Sequence, residues 1–368
     1  MGYDYKALAN KYIQNLTPYQ PGKPIEEVER ELGIKNVIKL ASNENPLGAS
    51  PKALAAALMA LQKAHIYPDG SYYTLCHELA NFLKISPKQI TVGNGSDSII
   101  ELIARCYLAP GDHAIISEYA FFIMALAVKI SGAIPKIVPA KHYAHDIDGM
   151  LKAVDSKTRI IFVANPNNPT GTYINKKEFA TLMQAIDPKI LVVIDEAYYE
   201  YSKVDDYPDT VAVVNKYPNL IITRTFSKAY GLAGMRLGYA ISSPEIADIL
   251  NRTRLAFVVS SITVAAGIAA LQDTEHLRQV QMLTIAGLQQ IQDGLRKMNI
   301  DYISKLGNFI TFDTKTDALK IYQELLLKGI IVRPLLPYNM PSFLRVSVGT
   351  PQQNSLFLQA LEEVMQQR

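Results

Sequence analysis

The sequence predicts an α/β fold with a mostly parallel sheet between helices, and three observations carry that prediction. Seven short apolar runs recur along the middle of the chain: Ile90–Val92, Ala114–Ile116, Lys136–Val138, Arg159–Val163, Ile190–Ile194, Leu220–Thr223 and Leu237–Ala240. Helix-spaced apolar residues fill several of the intervals, for example Ile99, Ile100, Ile103 and Tyr107. Strands that alternate with helices in this way feed a parallel sheet. After about residue 255 the pattern changes to longer helices, such as His276–Met298, and a few weaker strands.

Composition narrows the function classes. With 368 residues the chain is long enough for a large and a smaller domain. Its net charge of +3 is too small to argue for nucleic acid, and no Lys/Arg run stands out. The two cysteines, Cys76 and Cys106, have no metal or redox spacing, so no metal site is expected and a reducing cytoplasm is the simple reading. The longest apolar stretch, Ala120–Val128, is stopped by Lys129, well short of a membrane span. The first residues lack the apolar core of a signal peptide.

Taken in order, residues 1 to about 45 read as an N-terminal helix and arm, with Pro18, Pro21 and Pro24 keeping the middle extended. Thr91 to Glu101 reads as strand, glycine turn and helix start, where free backbone N–H groups bind anions and Gly95 lets a phosphate come close. A dinucleotide-binding turn is excluded because Ser98 stands where the third glycine of G-x-G-x-x-G belongs. The Arg159–Val163 run leads to Asn165-Pro166-Asn167-Asn168-Pro169-Thr170-Gly171, and Ile190–Ile194 ends in Asp195.

The Leu220–Thr223 run leads into a loop that holds Lys228, with Arg236 eight residues further on. A lysine at a strand end can form a Schiff base with an aldehyde, and a nearby arginine can neutralise a phosphate. Aldehyde and phosphate together describe pyridoxal 5′-phosphate. That cofactor also needs a carboxylate to keep its ring nitrogen protonated, which Asp195 offers. It needs donors to its phenolic oxygen, for which Asn168 and Tyr198 are candidates. Separately, each segment reads as an ordinary turn or helix start. Jointly, three strand-like runs end in the required chemistry, where open parallel sheets bind ligands.

Asn165–Gly171, then Val192-Val193-Ile194-Asp195-Glu196-Ala197-Tyr198, then Thr223–Tyr239 resemble the fold type I pyridoxal-phosphate-dependent aminotransferases. Within them the chain is similar to the histidinol-phosphate aminotransferase family, from Leu16 to Thr350. The resemblance implies a large cofactor-binding domain over 46–255, and a smaller α+β domain over 256–368 that also takes in part of 1–45. It implies that Gly95, Ser96, Asp97, Ser227 and Arg236 hold the phosphate and that Tyr119 stacks on the ring. It places Tyr67 across a homodimer interface, in the neighbouring subunit's site. Arg345, Arg333 and Tyr19 match positions that grip the substrate's anionic groups. Two residues depart from the family pattern: Ser117 replaces a common proline, and Ser98 a common glutamate.

The expected reaction is transamination between L-histidinol phosphate and 2-oxoglutarate, giving imidazole acetol phosphate and L-glutamate in histidine biosynthesis. Lys228 would move the proton, and the kinetics would be ping-pong. The rivals are an aromatic amino acid aminotransferase acting on phenylalanine or tyrosine, and a lyase resembling the threonine-phosphate decarboxylases.

Overall fold

The computed structural model describes residues 3–18 and 22–366. All seven apolar runs become strands of one sheet. In spatial order they are Ile90–Gly93, Gly238–Ile241, Leu220–Thr225, Leu191–Asp195, Thr158–Ala164, His113–Ser117 and Ile134–Val138. The last five named run parallel, whereas Gly238–Ile241 is antiparallel to both of its neighbours. The central runs Ile160–Val163, Val192–Ile194 and Leu220–Ile222 are continuously apolar because both faces of the sheet are covered there. Alternate residues serve opposite faces. Ile161, Val163, Val192, Ile194 and Ile222 enter one core, and Ile160, Phe162, Val193 and Ile221 the other.

Helices start where side chains can satisfy their first N–H groups. Ser50 caps Pro51–Leu61, and Asn175 with Glu178 forms a capping box on Lys176–Ala185. Ile99, Ile100 and Ile103 of the helix Gly95–Tyr107 are fully buried, as their spacing implies. No helix among the described residues is long and apolar enough to cross a membrane.

The C-terminal part adds an antiparallel four-stranded sheet in the order Arg333–Pro334, Phe343–Ser347, Phe309–Asp313, Tyr302–Ile303. Its core includes Leu295 of the helix Thr274–Lys297, Ile321 of Ala318–Leu327 and Phe357 of Pro351–Gln366. The N-terminal segment joins this unit through Ile38–Lys39, which pairs in parallel with Ile330–Ile331. The helix Ser261–Gln272 belongs elsewhere: its Ala266, Ala270 and Leu271 lie in the core of the large sheet. We therefore propose a large domain that runs to Gln272, beyond the boundary at 255 expected from the change in sequence character. On that proposal the longer helices begin before the large domain ends.

Candidate active site

A chamber opens at the carboxyl ends of Thr158–Ala164, Leu191–Asp195 and Leu220–Thr225, between the large sheet and the C-terminal sheet. Ala164, Asp195, Thr225, Lys228, Arg236 and Arg345 are among its lining residues. Asp195 ends its strand opposite Thr223, and the Thr223 hydroxyl donates to the Asp195 carboxylate at 2.7 Å. Burial pushes the carboxyl pKa up to about 7, against the pull of the Thr223 hydrogen bond. A cation that comes to meet such a group favours its ionised form.

Lys228 donates from Nζ to the Ser42 carbonyl at 2.9 Å. Burial, and then the nearby Arg345 charge, lower its pKa to about 8. A buried amine of this kind has a sizeable neutral fraction near neutrality, which is what a nucleophile requires. Tyr198 is buried with its hydroxyl pKa pushed up to about 12 by burial, so it remains a donor. The Lys228 Nζ lies 5.9 Å from the centre of its ring.

At one end of the chamber Gly95 opens its helix with φ +80, and a Cβ there would stand 2.6 Å from Arg236 Nη2. Only glycine lets the helix N-terminus and the guanidinium approach this closely. Arg236 Nη1 donates to the Ser227 hydroxyl at 3.2 Å, and its Nη2 lies 3.8 Å from the Asp97 carboxylate. Ser96 and Asp97 line the chamber beside them. At the other end, Arg345 donates to the Asn168 side-chain oxygen and, at 2.6 Å, to the Ala41 carbonyl. Arg333 is its cross-strand register partner and lines the same chamber. The donor set suits a group with an aldehyde, a basic ring nitrogen and a phosphate, together with a second, anionic ligand.

A family model for aminotransferase class I and II matches residues 35–361. The chain belongs to the class I and II aminotransferase family. It is 48% identical to histidinol-phosphate aminotransferase 2 of Pseudomonas fluorescens, over 99% of each chain. It is also 48% identical to histidinol-phosphate aminotransferase 2 of Pseudomonas aeruginosa, over 98% of this chain and 99% of the relative. The crystal structure of histidinol-phosphate aminotransferase from Sinorhizobium meliloti, in complex with pyridoxal-5′-phosphate, superposes with a TM-score of 0.90 at 31% identity, over 98% of both chains. A double mutant of Thermus thermophilus aspartate aminotransferase shares the fold, with a TM-score of 0.82 at 19% identity, over 97% of this chain and 99% of that one.

Among the described residues, most of those expected from sequence meet in this chamber, and Tyr119 and Tyr67 do not line it. Tyr119 has φ +60 and its carbonyl accepts from Asn167 Nδ2 at 3.0 Å, but it does not line the chamber; Phe121, two residues on, does. Tyr67 is 79% exposed and stacks on Phe257 at 4.8 Å, away from this chain's own chamber. Tyr19 lies outside the described residues.

Sequence reading missed the part played by Ala41, Ser42 and Asn43. The two carbonyls hold Arg345 and Lys228, and Asn43 Nδ2 donates to the Tyr198 hydroxyl at 2.8 Å. The Asn43-Glu44-Asn45-Pro46-Leu47-Gly48 loop was the available signal, but carbonyl contacts leave no side-chain signature. Thr223 and Tyr338, the latter also lining the chamber, carried no signal either.

Proposed function

We propose that the protein transfers the amino group of L-histidinol phosphate to 2-oxoglutarate, giving imidazole acetol phosphate and L-glutamate in histidine biosynthesis, with pyridoxal 5′-phosphate bound through Lys228. One observation carries the substrate reading. Arg333 and Arg345 stand opposite each other on adjacent antiparallel strands and line the same chamber as Lys228. Both guanidinium groups are planar donors suited to a carboxylate or a phosphate. The relatives that share this chain's full length are named for the same phosphorylated substrate.

Bound pyridoxal phosphate would supply an aldehyde carbon on which amino groups exchange, and an electron-poor ring that draws charge from the substrate α-carbon. The protein does the rest. Gly95, Ser96, Asp97, Ser227 and Arg236 form the phosphate end. Asp195 holds the ring nitrogen's proton in place, and Asn168 and Tyr198 donate toward the ring oxygen. Lys228, with its lowered pKa, takes the α-proton and returns it as an acid. Arg345 and Arg333 orient the anionic groups of the substrate, with Tyr19 proposed beside them. The amino group is held between two half-reactions, so the kinetics are ping-pong.

We further propose a homodimer in which Tyr67 serves the partner's phosphate site. Leu54, Leu58 and Met59 of the helix Pro51–Leu61, with Ile66, Tyr67, Leu255 and Phe257, are exposed apolar residues, the kind of surface that a subunit interface covers. A cytoplasmic location fits the two free cysteines.

Mixing the cofactor-loaded protein, without oxo acid, with histidinol phosphate, phenylalanine or tyrosine tests the substrate. Loss of the cofactor's visible absorbance should be much faster with histidinol phosphate. Faster loss with the aromatic amino acids would favour the second reading, an aromatic aminotransferase, for which Phe121 and Tyr338 in the chamber wall speak.

A further inference from the structure

Asn43 stands between Tyr198 of the large domain and Ser347 at the end of the strand Phe343–Ser347, and it is 1% exposed. Its backbone N–H donates to Ser347 Oγ at 2.8 Å, so that oxygen serves as an acceptor. The Ser347 hydroxyl proton then goes to Asn43 Oδ1, 2.9 Å away. This fixes the orientation of the amide, because the flipped arrangement would turn an N–H group toward a buried hydroxyl that has a proton of its own to place. Asn43 Nδ2 therefore faces Tyr198 and donates to its hydroxyl oxygen at 2.8 Å. The Asn43 carbonyl is held in turn by Asn308 Nδ2 at 3.0 Å.

A phenol oxygen occupied as an acceptor still has its proton to give. Among the described residues no acceptor receives it, and Tyr198 lines the chamber. We propose that Asn43, oriented by Ser347, is a positioning residue that turns the Tyr198 O–H into the chamber as a donor to the ring oxygen of the cofactor. The inference rests on reading the chamber as a pyridoxal phosphate site. Neither residue touches the reacting atoms; both act through Tyr198.

A donor to the ring oxygen favours loss of the proton from the neighbouring Lys228–cofactor linkage. The pH midpoint of the bound cofactor's visible absorption therefore reports this bond. Arg345, Asp195, Tyr338 and Lys228 are the charged or titratable groups that face Tyr198, and all stay in place in the test. Asn43→Asp is the informative substitution. It has the same size and tolerates the left-handed backbone of φ +55 at this position. Its carboxylate only accepts, so it draws the Tyr198 proton back out of the chamber.

The absorption midpoint would be titrated for the loaded protein, Tyr198→Phe, Asn43→Asp and the double variant, with cofactor content checked by dialysis. Asn43→Asp should raise the midpoint by about one to two units, the size of a hydrogen bond to a charged group. In the Tyr198→Phe background the same substitution should raise it much less, through its added charge alone. Ser347→Ala should give a smaller rise, which Ser347→Thr restores. Equal shifts from Asn43→Asp in both backgrounds would overturn the relay. If Tyr198→Phe leaves the midpoint unmoved, the relay falls with it. The cofactor site itself is judged separately, by whether Lys228→Ala abolishes the visible band.

Discussion

The Thr223 hydroxyl donates a 2.7 Å hydrogen bond to the Asp195 carboxylate across two adjacent parallel strands, and the two residues are register partners. Strand pairing alone therefore brings the acid and its donor together. The same register places the next two residues, Glu196 and Arg224, in a buried ion pair of 2.8 Å. Side chains alternate along a strand, so one pairing orders both the chamber side and its support.

Asp195 gives a pH-dependent stability in the cofactor-free protein. Its folded-state pKa of about 7 lies above the ordinary aspartate value, so the native state binds the extra proton. The resulting stability is fully present below about pH 4 and is lost as the pH rises through about 7, a change of a few kcal/mol. Asp195→Asn should flatten this part of the profile, measured by urea unfolding of both proteins across that range. A wild-type profile no steeper than the variant's would contradict the burial argument.

Lys228 should take up pyridoxal phosphate in its neutral form. Growth of the visible band after mixing should slow about tenfold per pH unit below its pKa of about 8. Stopped-flow absorbance on the cofactor-free protein measures this directly, and Lys228→Ala should show no band at all.

Arg345→Ala should raise KM for histidinol phosphate by about 10- to 100-fold, the worth of a charge-assisted hydrogen bond. Arg333→Ala should weaken histidinol phosphate more than phenylalanine, which carries no phosphate. Steady-state kinetics on both substrates separates the two arginines. Unchanged histidinol phosphate kinetics in both variants would remove the anion site from this position.

Glu196→Ala should destabilise the fold by about 3–5 kcal/mol, because it leaves Arg224 buried without its carboxylate. The Arg224 guanidinium also stacks 3.5 Å from the centre of the Tyr199 ring and cannot easily withdraw to solvent. Chemical denaturation of the variant measures the loss; a change under 1 kcal/mol would mean that water reaches the pair.

Mixed dimers test the shared site. A dimer of one Lys228→Ala subunit and one Tyr67→Phe subunit should contain one chamber that has Lys228 and receives the wild-type Tyr67 of its neighbour. Their activity per intact lysine should therefore exceed that of the pure Tyr67→Phe protein. Equal specific activity would place Tyr67 outside the partner's chamber.

Local pattern was enough for the large sheet and for the residues at its carboxyl ends. Runs such as Ile160–Val163 and Leu220–Ile222 are apolar throughout because both faces are buried, and that burial is written in consecutive residues. Asp195 was legible because it directly follows such a run, and Lys228 because it lies in the loop that the next run leads into. Tertiary structure alone decided the rest. Asn43 meets Ser347 across 304 residues, and no periodicity links them. The helix Ser261–Gln272 joins the large core because its small buried side chains, Ala266 and Ala270, fit against it, a matter of partner and not of pattern. Phe121 lines the chamber and Tyr119, two residues earlier, does not, a difference that no apolar pattern distinguishes. The sequence by itself marked Asp195 and Lys228 as candidate groups beyond strand-like runs, and left Ala41, Ser42, Asn43, Thr223 and Tyr338 unmarked. Their orientation depended on contacts that form only when distant segments pack, since hydrogen-bond direction belongs to pairs and not to single residues.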